Sequence, residues 1–303
     1  MIRKVSKIGP STLMVSLPTK WVKANNVKKG DELDLIEDGK RITINLGHQN
    51  GDLKTKTVET HNIVKSLKRV AGALYKSGYD QITFVYNTPE ELKIIQKTMG
   101  RSFIGFEIIG ETKNSITIKR LSRIDNDDFE IVLKRCFFSL IQMAENCIEA
   151  LENQNPDDLQ KVVLSDDSIN KYCDFCRRIL NKNQFSGTKK EPPLYVIVEQ
   201  LEKIGDKYRD IANIAIKNNI KISKDFKQLF NQITNYLRDY SSLYNKFDYK
   251  KLEKFIKDKK ELKNKFAKLS TIISKEENIL FLYLNTIFEI LFDLQGPLIT
   301  SMI

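Results

Sequence analysis

Two acid pairs and one acid-free basic stretch carry most of the chemistry this sequence offers. Glu202 and Asp206 stand four residues apart, and so do Glu289 and Asp293. On a helix that interval puts two carboxylates one turn apart on one side, where they can converge on a cation if neighbouring helices supply more oxygens. At the other end of the chain, Met1 to Gly30 holds seven basic residues (Arg3, Lys4, Lys7, Lys20, Lys23, Lys28 and Lys29) and no acid, and acids begin at Asp31. One-signed charge at that density makes a local positive field suited to an anionic partner. Catalytic patterns are missing by comparison. His48 and His61 are the two histidines of the 303 residues, there is no Glu-x-x-His motif or phosphate-binding glycine loop, and no nucleophile is spaced from a base. The expectation is a protein that is not an enzyme, with a metal-dependent enzyme as the least favoured reading.

The elements that must position these groups fall into three stretches, expected at 1–48, 54–124 and 127–303. In the first, Thr12 to Leu17 alternates, with Leu13, Val15 and Leu17 on one face and Met14 and Ser16 on the other, the period of a half-buried strand, and Pro18 closes it. A short helix through Trp21 and Val22 should stop near Asn25 and Asn26. Leu33 to Ile36 and Ile42 to Leu46 then flank Asp38-Gly39 and read as a tight hairpin. A β-α-β-β unit of under fifty residues buries too little surface to stand alone, so it is expected to dimerise.

The middle stretch reads as mixed α/β. A helix is expected near Thr60 to Lys76, with Ile63, Leu67, Val70 and Leu74 inward and Lys65, Lys68, Arg69 and Lys76 outward. A strand at Gln81 to Tyr86, a helix at Pro89 to Met99 and strands at Phe106 to Glu111 and Ser115 to Arg120 follow. From Asp127 the periodicity is helical throughout. It predicts helices at Asp128 to Glu152, Pro156 to Lys182, Pro193 to Asn218, Lys224 to Asn245, Lys250 to Ser270 and Lys275 to the end. In the third of these, Leu201, Ile204, Tyr208, Ile211 and Ala215 form the seam of a packed helix. Asp166 to Tyr172 in the second helix parallels Lys260 to Phe266 in the fifth, which suggests two tandem three-helix units. The fifth helix carries nine lysines against Glu253, Asp258 and Glu261, and it contributes much of the formal net charge of +11. A solvated face is its expected use.

Cys136, Cys147, Cys173 and Cys176 lack a disulfide-rich spacing, and Cys173-x-x-Cys176 has no second pair to complete a zinc site. Buried helix positions in a reducing cytoplasm are expected. The N-terminus has no signal-peptide apolar core. The most apolar late segment, Ile279 to Ile299, is interrupted by Asn285, Glu289, Asp293 and Pro297, so no membrane insertion is expected.

Arg3-Lys4-Val5, Lys7-Ile8-Gly9-Pro10-Ser11, Leu17-Pro18 and Lys29-Gly30-Asp31 together resemble the SpoVT/AbrB swapped-hairpin family. The resemblance implies two chains interlaced into one small dimeric β-barrel that binds double-stranded DNA, with Arg3, Lys4, Lys7, Ser11 and Lys23 at the DNA. Pro10 departs from the Arg or Asn often found after the glycine. Leu201-Glu-Lys-Ile-Gly-Asp206 with Asp210-Ile-Ala212 resembles the PhoU family, phosphate-signalling regulators built from two three-helix bundles. That resemblance implies multinuclear metal at Glu202, Asp206, Glu289 and Asp293, helped by Asp166. An all-oxygen set of this kind favours a hard cation such as magnesium or iron. Two departures stand out: Asn170 replaces the second acid of the first motif, and Lys260 takes the place of Asp166 in the second unit.

The whole arrangement resembles archaeal phosphate-uptake regulators. It implies an α+β chain composed of a swapped-hairpin barrel, a mixed α/β middle and an all-α pair of three-helix bundles. The function implied is a cytoplasmic, homodimeric transcription regulator whose helical part senses or transmits phosphate status. The second reading is an adaptor that touches a phosphate transporter or signalling kinase, with the barrel serving to dimerise.

Overall fold

The computed structural model describes residues 2–38, 41–46, 53–122, 128–182 and 190–303, and it divides into two compact units, Met1–Leu53 and Lys54–Ile303. The expected turn at Gly39, His48, the boundaries at 48 and 124–127 and the loop from Ser186 lie outside the described residues.

In the first unit β1 (Ser6–Ile8) pairs antiparallel with β2 (Thr12–Met14), α1 (Thr19–Ala24) follows, and β3 (Leu33–Asp38) pairs antiparallel with β4 (Arg41–Leu46). Gly9 turns the first hairpin at a φ of +76°, a left-handed value that favours glycine. The helix stops where expected: Asn25 Nδ2 donates to the Trp21 carbonyl at 2.8 Å and Asn26 is left-handed. The strand expected over Thr12 to Leu17 ends at Met14, because its partner runs out at Ser6 and Val15 to Leu17 find no strand partner among the described residues. No described side chain of this unit is buried.

The second unit opens with a two-layer α/β portion. Its elements are β5 (Thr55–Glu59), a 3-10 turn at Val64–Ser66, α2 (Leu67–Lys76), β6 (Gln81–Val85), α3 (Pro89–Ser102), β7 (Phe106–Thr112) and β8 (Ser115–Arg120). The sheet order is β5-β6-β8-β7, with β5 parallel to β6 and the other pairings antiparallel. Ile82, Phe84, Ile116 and Ile118 alternate onto the buried face, whereas Thr83 Oγ1 and Thr117 Oγ1 meet at 3.0 Å on the other. Strand β5 escaped the sequence reading because Thr55–Glu59 has a single apolar residue, Val58.

The helix expected from Thr60 begins at Leu67. Thr60 is spent elsewhere: its amide donates to the Val85 carbonyl at 2.9 Å and its hydroxyl to Glu91. The fully buried row is Leu67, Ala71 and Tyr75; Ile63 and Leu74 pack against that core as partly buried residues, as expected, and Val70 is partly buried. Tyr75 wins the core position because its ring stacks on Phe103 at 4.6 Å between centroids. Thr88 caps α3: the Glu91 amide donates to Thr88 Oγ1 at 3.3 Å, and the Glu91 carboxylate accepts from the Thr88 hydroxyl at 3.2 Å and the Asn87 amide at 3.1 Å.

Seven helices complete the described chain: α4 (Asp128–Glu152), α5 (Pro156–Asn181), α6 (Glu191–Asn218), α7 (Lys224–Asn245), α8 (Tyr249–Leu269), α9 (Asn278–Asp293) and α10 (Gln295–Met302). The last expected helix is two. Gly296-Pro297 follows the break at Leu294, and proline, which has no amide hydrogen, sits in the first turn of α10. Helices α4 to α6 pack together, as do α7 to α9, but the two sets share one continuous core from Phe129 to Leu298. All four cysteines lie inside it, and burial pushes the Cys147 thiol up to about 12. Asn278–Met302 is long and apolar enough by composition to cross a membrane, with mean hydropathy 1.4. In this fold Leu280, Leu284, Ile287, Phe288 and Leu291 are fully buried, and α9 packs on α6 and α7 through that face, whereas Ile279 and Leu282 are exposed.

Candidate functional site

The basic residues of the first unit are presented to solvent. Arg3 and Lys4 precede β1, Lys7 lies in β1 opposite Leu13, Ser11 is in the hairpin turn and Lys23 is in the last turn of α1. All five are exposed, and none forms an ion pair among the described residues. They can meet phosphates without first breaking an internal contact.

The acids of the helical half have a different environment. Gly205, inside the motif Leu201 to Asp206, lets α6 approach α5 closely: a Cβ there would meet Ile169 Cγ2 at 3.1 Å and Asp166 Oδ1 at 3.4 Å. The approach brings Asp166 of α5 to the side of α6 that carries Asp206. Between them lies Arg209. Its Nη1 donates to Asp166 Oδ2 at 2.8 Å and also to Asp206, and its Nη2 donates to Asp210 Oδ1 at 3.0 Å. Burial disfavours the charge on Arg209, but its bond to Asp166 and the surrounding carboxylates outweigh that and raise its pKa. Glu202, one turn earlier, contacts Arg177, which also donates to Asp174 Oδ1 at 3.0 Å and to Glu199 Oε2 at 2.5 Å.

Asp166, Asp206 and Glu202 are therefore grouped around two guanidinium groups, whereas Glu289 and Asp293 sit apart on α9. There Lys263 Nζ is 3.9 Å from Glu289 Oε1 and Lys259 covers the ring of Phe292. Among the described residues no three His, Cys, Asp or Glu side chains converge as a metal set. Asp166 Oδ1 and Asn170 Oδ1 lack a protein partner, but two oxygens are few for a hard cation that takes six or more. In this structure the carboxylates of Asp166, Asp206 and Glu202 are engaged by Arg209 and Arg177. Arg209 stands three residues after Asp206, so an i,i+3 reading could have found it. The same reading finds Arg177 beside Asp174 but not its contacts to Glu199 and Glu202, which cross from α5 to α6.

A second charged group joins the α/β portion to the bundle, and sequence reading missed it. Arg178 is completely buried. Its Nη1 donates to the carbonyls of Tyr75 at 2.7 Å and Tyr79 at 2.8 Å, and its Nη2 donates to Asp80 Oδ1 at 2.8 Å. Lys182 Nζ donates to both Asp80 oxygens, at 2.7 and 2.8 Å, and Arg120 Nε lies 3.2 Å from Oδ1. Burial pushes the Asp80 carboxyl up, but Lys182, Arg120 and Arg178 together hold it below the ordinary range.

Comparison with known proteins agrees with this division. Residues 7–45 match the family described as antidote-toxin recognition MazE, bacterial antitoxin, and residues 133–215 match the PhoU domain family. The amino-terminal segment is thus MazE/AbrB-like, and the stretch that spans most of α4 to α6 is PhoU-like. No curated protein matches the chain. Two similar solved structures are PhoU-like proteins of Shewanella oneidensis MR-1. One is 13% identical, with a TM-score of 0.45 over 55% of this chain and 95% of its own. The other, described as a phosphate regulatory protein, is 13% identical, with a TM-score of 0.44 over 56% of this chain and 97% of its own.

Proposed function

We propose that this chain is a cytoplasmic, homodimeric regulator of phosphate uptake that binds double-stranded DNA through its first unit and transmits phosphate status through its PhoU-like helices. The observation that carries the reading is the state of the first unit. Seven basic residues meet no acid before Asp31, while Val5 (63% exposed), Leu13 (69%), Leu35 (64%) and Ile42 (63%) are left largely open by the described residues. Apolar exposure on this scale in so small a unit calls for a second copy, and the cations then line a two-fold assembly suited to paired half-sites.

The test is binding of the full chain to duplexes from phosphate-transport promoters across a salt series, beside an Arg3→Ala/Lys7→Ala variant. Preference over random duplex is expected. Affinity should fall with a log-log slope of about −0.9 per phosphate neutralised, and the slope should be shallower in the variant. Equal binding by wild type and variant would remove the assignment.

An adaptor role has one observation in its favour. Ile131 (58% exposed) and Phe138 (63%) stand seven residues apart on one side of α4, an apolar pair open to a protein partner. Recovery of a transporter or kinase with wild type but not with Phe138→Ala would support contact there in addition to DNA. For the acids, Arg177 and Arg209 take the role a cation would otherwise have. Plasma mass spectrometry of protein purified with magnesium and iron present should find less than one metal per chain, and a stoichiometric metal would reverse that expectation.

A further inference from the structure

The groove between α2 and α3 gathers cations around an open cavity. Lys65, Lys68, Lys97 and Arg101 line a space of about 280 Å³ whose remaining wall is Val64, Ile94 and Thr98, with no acid in the lining. Lys68, Thr98 and Arg101 also border a second cavity of about 290 Å³, which reaches α5 and α6 at Asp167, Asn170 and Glu202. The acids there, with Asp174 a third, are already engaged: Asp167 by Arg101 at 3.2 Å, Asp174 by Lys76 at 3.2 Å and Arg177 at 3.0 Å, and Glu202 by Arg177. Lys65, Lys68 and Lys97 have no acid partner among the described residues, and all three are exposed.

The lysine-rich helix α8 shows what an ordinary solvated face looks like in this chain, with Glu253, Asp258 and Glu261 interspersed among its lysines. Helix α2 has no acid at all. On α3, Glu91 is buried in the cap and Glu90 lies at the far end from Arg101. Four cations held around one cavity repel each other, and an anion placed among them relieves the repulsion and gains charge-assisted hydrogen bonds. A volume near the lower end of small-molecule pockets holds a phosphate group with a small organic part, for which Val64 and Ile94 provide an apolar wall.

We propose that the α2–α3 groove binds a phosphate group, carried by orthophosphate or by a small phosphate ester, through Lys65, Lys68, Lys97 and Arg101. Its regulatory meaning rests on the phosphate-regulator reading, although its chemistry does not. Arg101 is shared between the groove and Asp167 of α5, so an occupant competes for the ion pair that ties α3 to the helix carrying Asp166 and Asn170. A signal read in the groove thereby reaches the PhoU-like acids.

Isothermal titration of the full chain with orthophosphate, adenosine monophosphate and sulfate tests the site, beside a Lys68→Glu/Lys97→Glu variant. Both lysines are exposed and unpaired among the described residues, and circular dichroism checks that the variant keeps its helices. Saturable binding of orthophosphate or of the monophosphate is expected, weaker for sulfate and reduced about tenfold or more in the variant. Saturation by orthophosphate identifies the free anion as sufficient, and saturation by the monophosphate alone identifies an ester. No saturable binding by either, or equal binding by wild type and variant, would overturn the site. So would a variant whose defect is confined to duplex DNA, which would make the groove a nucleic-acid surface. Promoter binding measured without phosphate depends on Arg3 and Lys7, so failure of the groove and failure of the regulator reading are seen separately.

Discussion

Replacing Asp80 with alanine should destabilise the Lys54–Ile303 unit by about 3–5 kcal/mol, the range for removing one partner of a buried ion pair. The reason lies in what remains. Arg178, fully buried, would keep its two carbonyl acceptors but lose its carboxylate, and Lys182 and Arg120 would face it with no counter-charge. Urea unfolding followed by helical circular dichroism measures the loss, and a loss below about 1 kcal/mol would place this cluster with ordinary surface pairs. The pH dependence has a definite sign. The folded carboxyl titrates below its ordinary value, so its contribution is fully present above the unfolded value of about 3.9 and disappears as pH falls through the lower folded one. The gap between wild type and Asp80→Ala should therefore be widest at neutral pH and narrow in acid. Asp80→Asn, which keeps the shape, should retain the deficit because amide and guanidinium do not neutralise each other.

The second large effect is expected at Leu13. In a single chain its side chain is 69% exposed, and an aspartate there would cost little. The proposed interlaced dimer would cover this position, and an unpaired carboxylate in an apolar interface costs several kcal/mol. Leu13→Asp should therefore convert a dimer to a monomer in sedimentation while leaving the helical circular dichroism of Lys54–Ile303 intact. Promoter affinity should fall about a hundredfold, equivalent to about 2.7 kcal/mol, as one of two half-sites is lost. An unchanged sedimentation coefficient with retained promoter binding would show that the chains do not associate through this face. Sedimentation and binding read together also separate dimer loss from damage to DNA contacts, because Arg3→Ala/Lys7→Ala should remain dimeric.

The helices of the second unit were legible because their signals are local. Asn155-Pro156, Ser223 and Asp248 act as caps at the positions where the hydrophobic period restarts, and α4 and α7 have the expected bounds. The seam from Leu201 to Ala215 is buried along its length, since a period of three and four residues leaves one side of a helix apolar whatever it packs against. Short edge elements gave no such signal. Strand β5 is a strand because β6 lies beside it, and β2 ends where β1 runs out of residues to offer.

The site divides in the same way. Sequence alone determined which residues could act: an acid-free basic segment from Arg3 to Lys29, acid pairs one turn apart at Glu202-Asp206 and Glu289-Asp293, and a MazE/AbrB-like segment ahead of a PhoU-like one. Only the tertiary structure decided what those acids meet. Arg177 reaches Glu199 and Glu202 from a different helix, Arg178 crosses about a hundred residues of sequence to close on Tyr75, Tyr79 and Asp80, and the cations of α2 and α3 share one cavity. Helical and strand periods are written in neighbouring residues, whereas the partner of a charge is set by which helices pack. Packing in turn depends on small local permissions such as Gly205 against Ile169, so a run of acids reads alike in sequence whether a metal or an arginine stands among them.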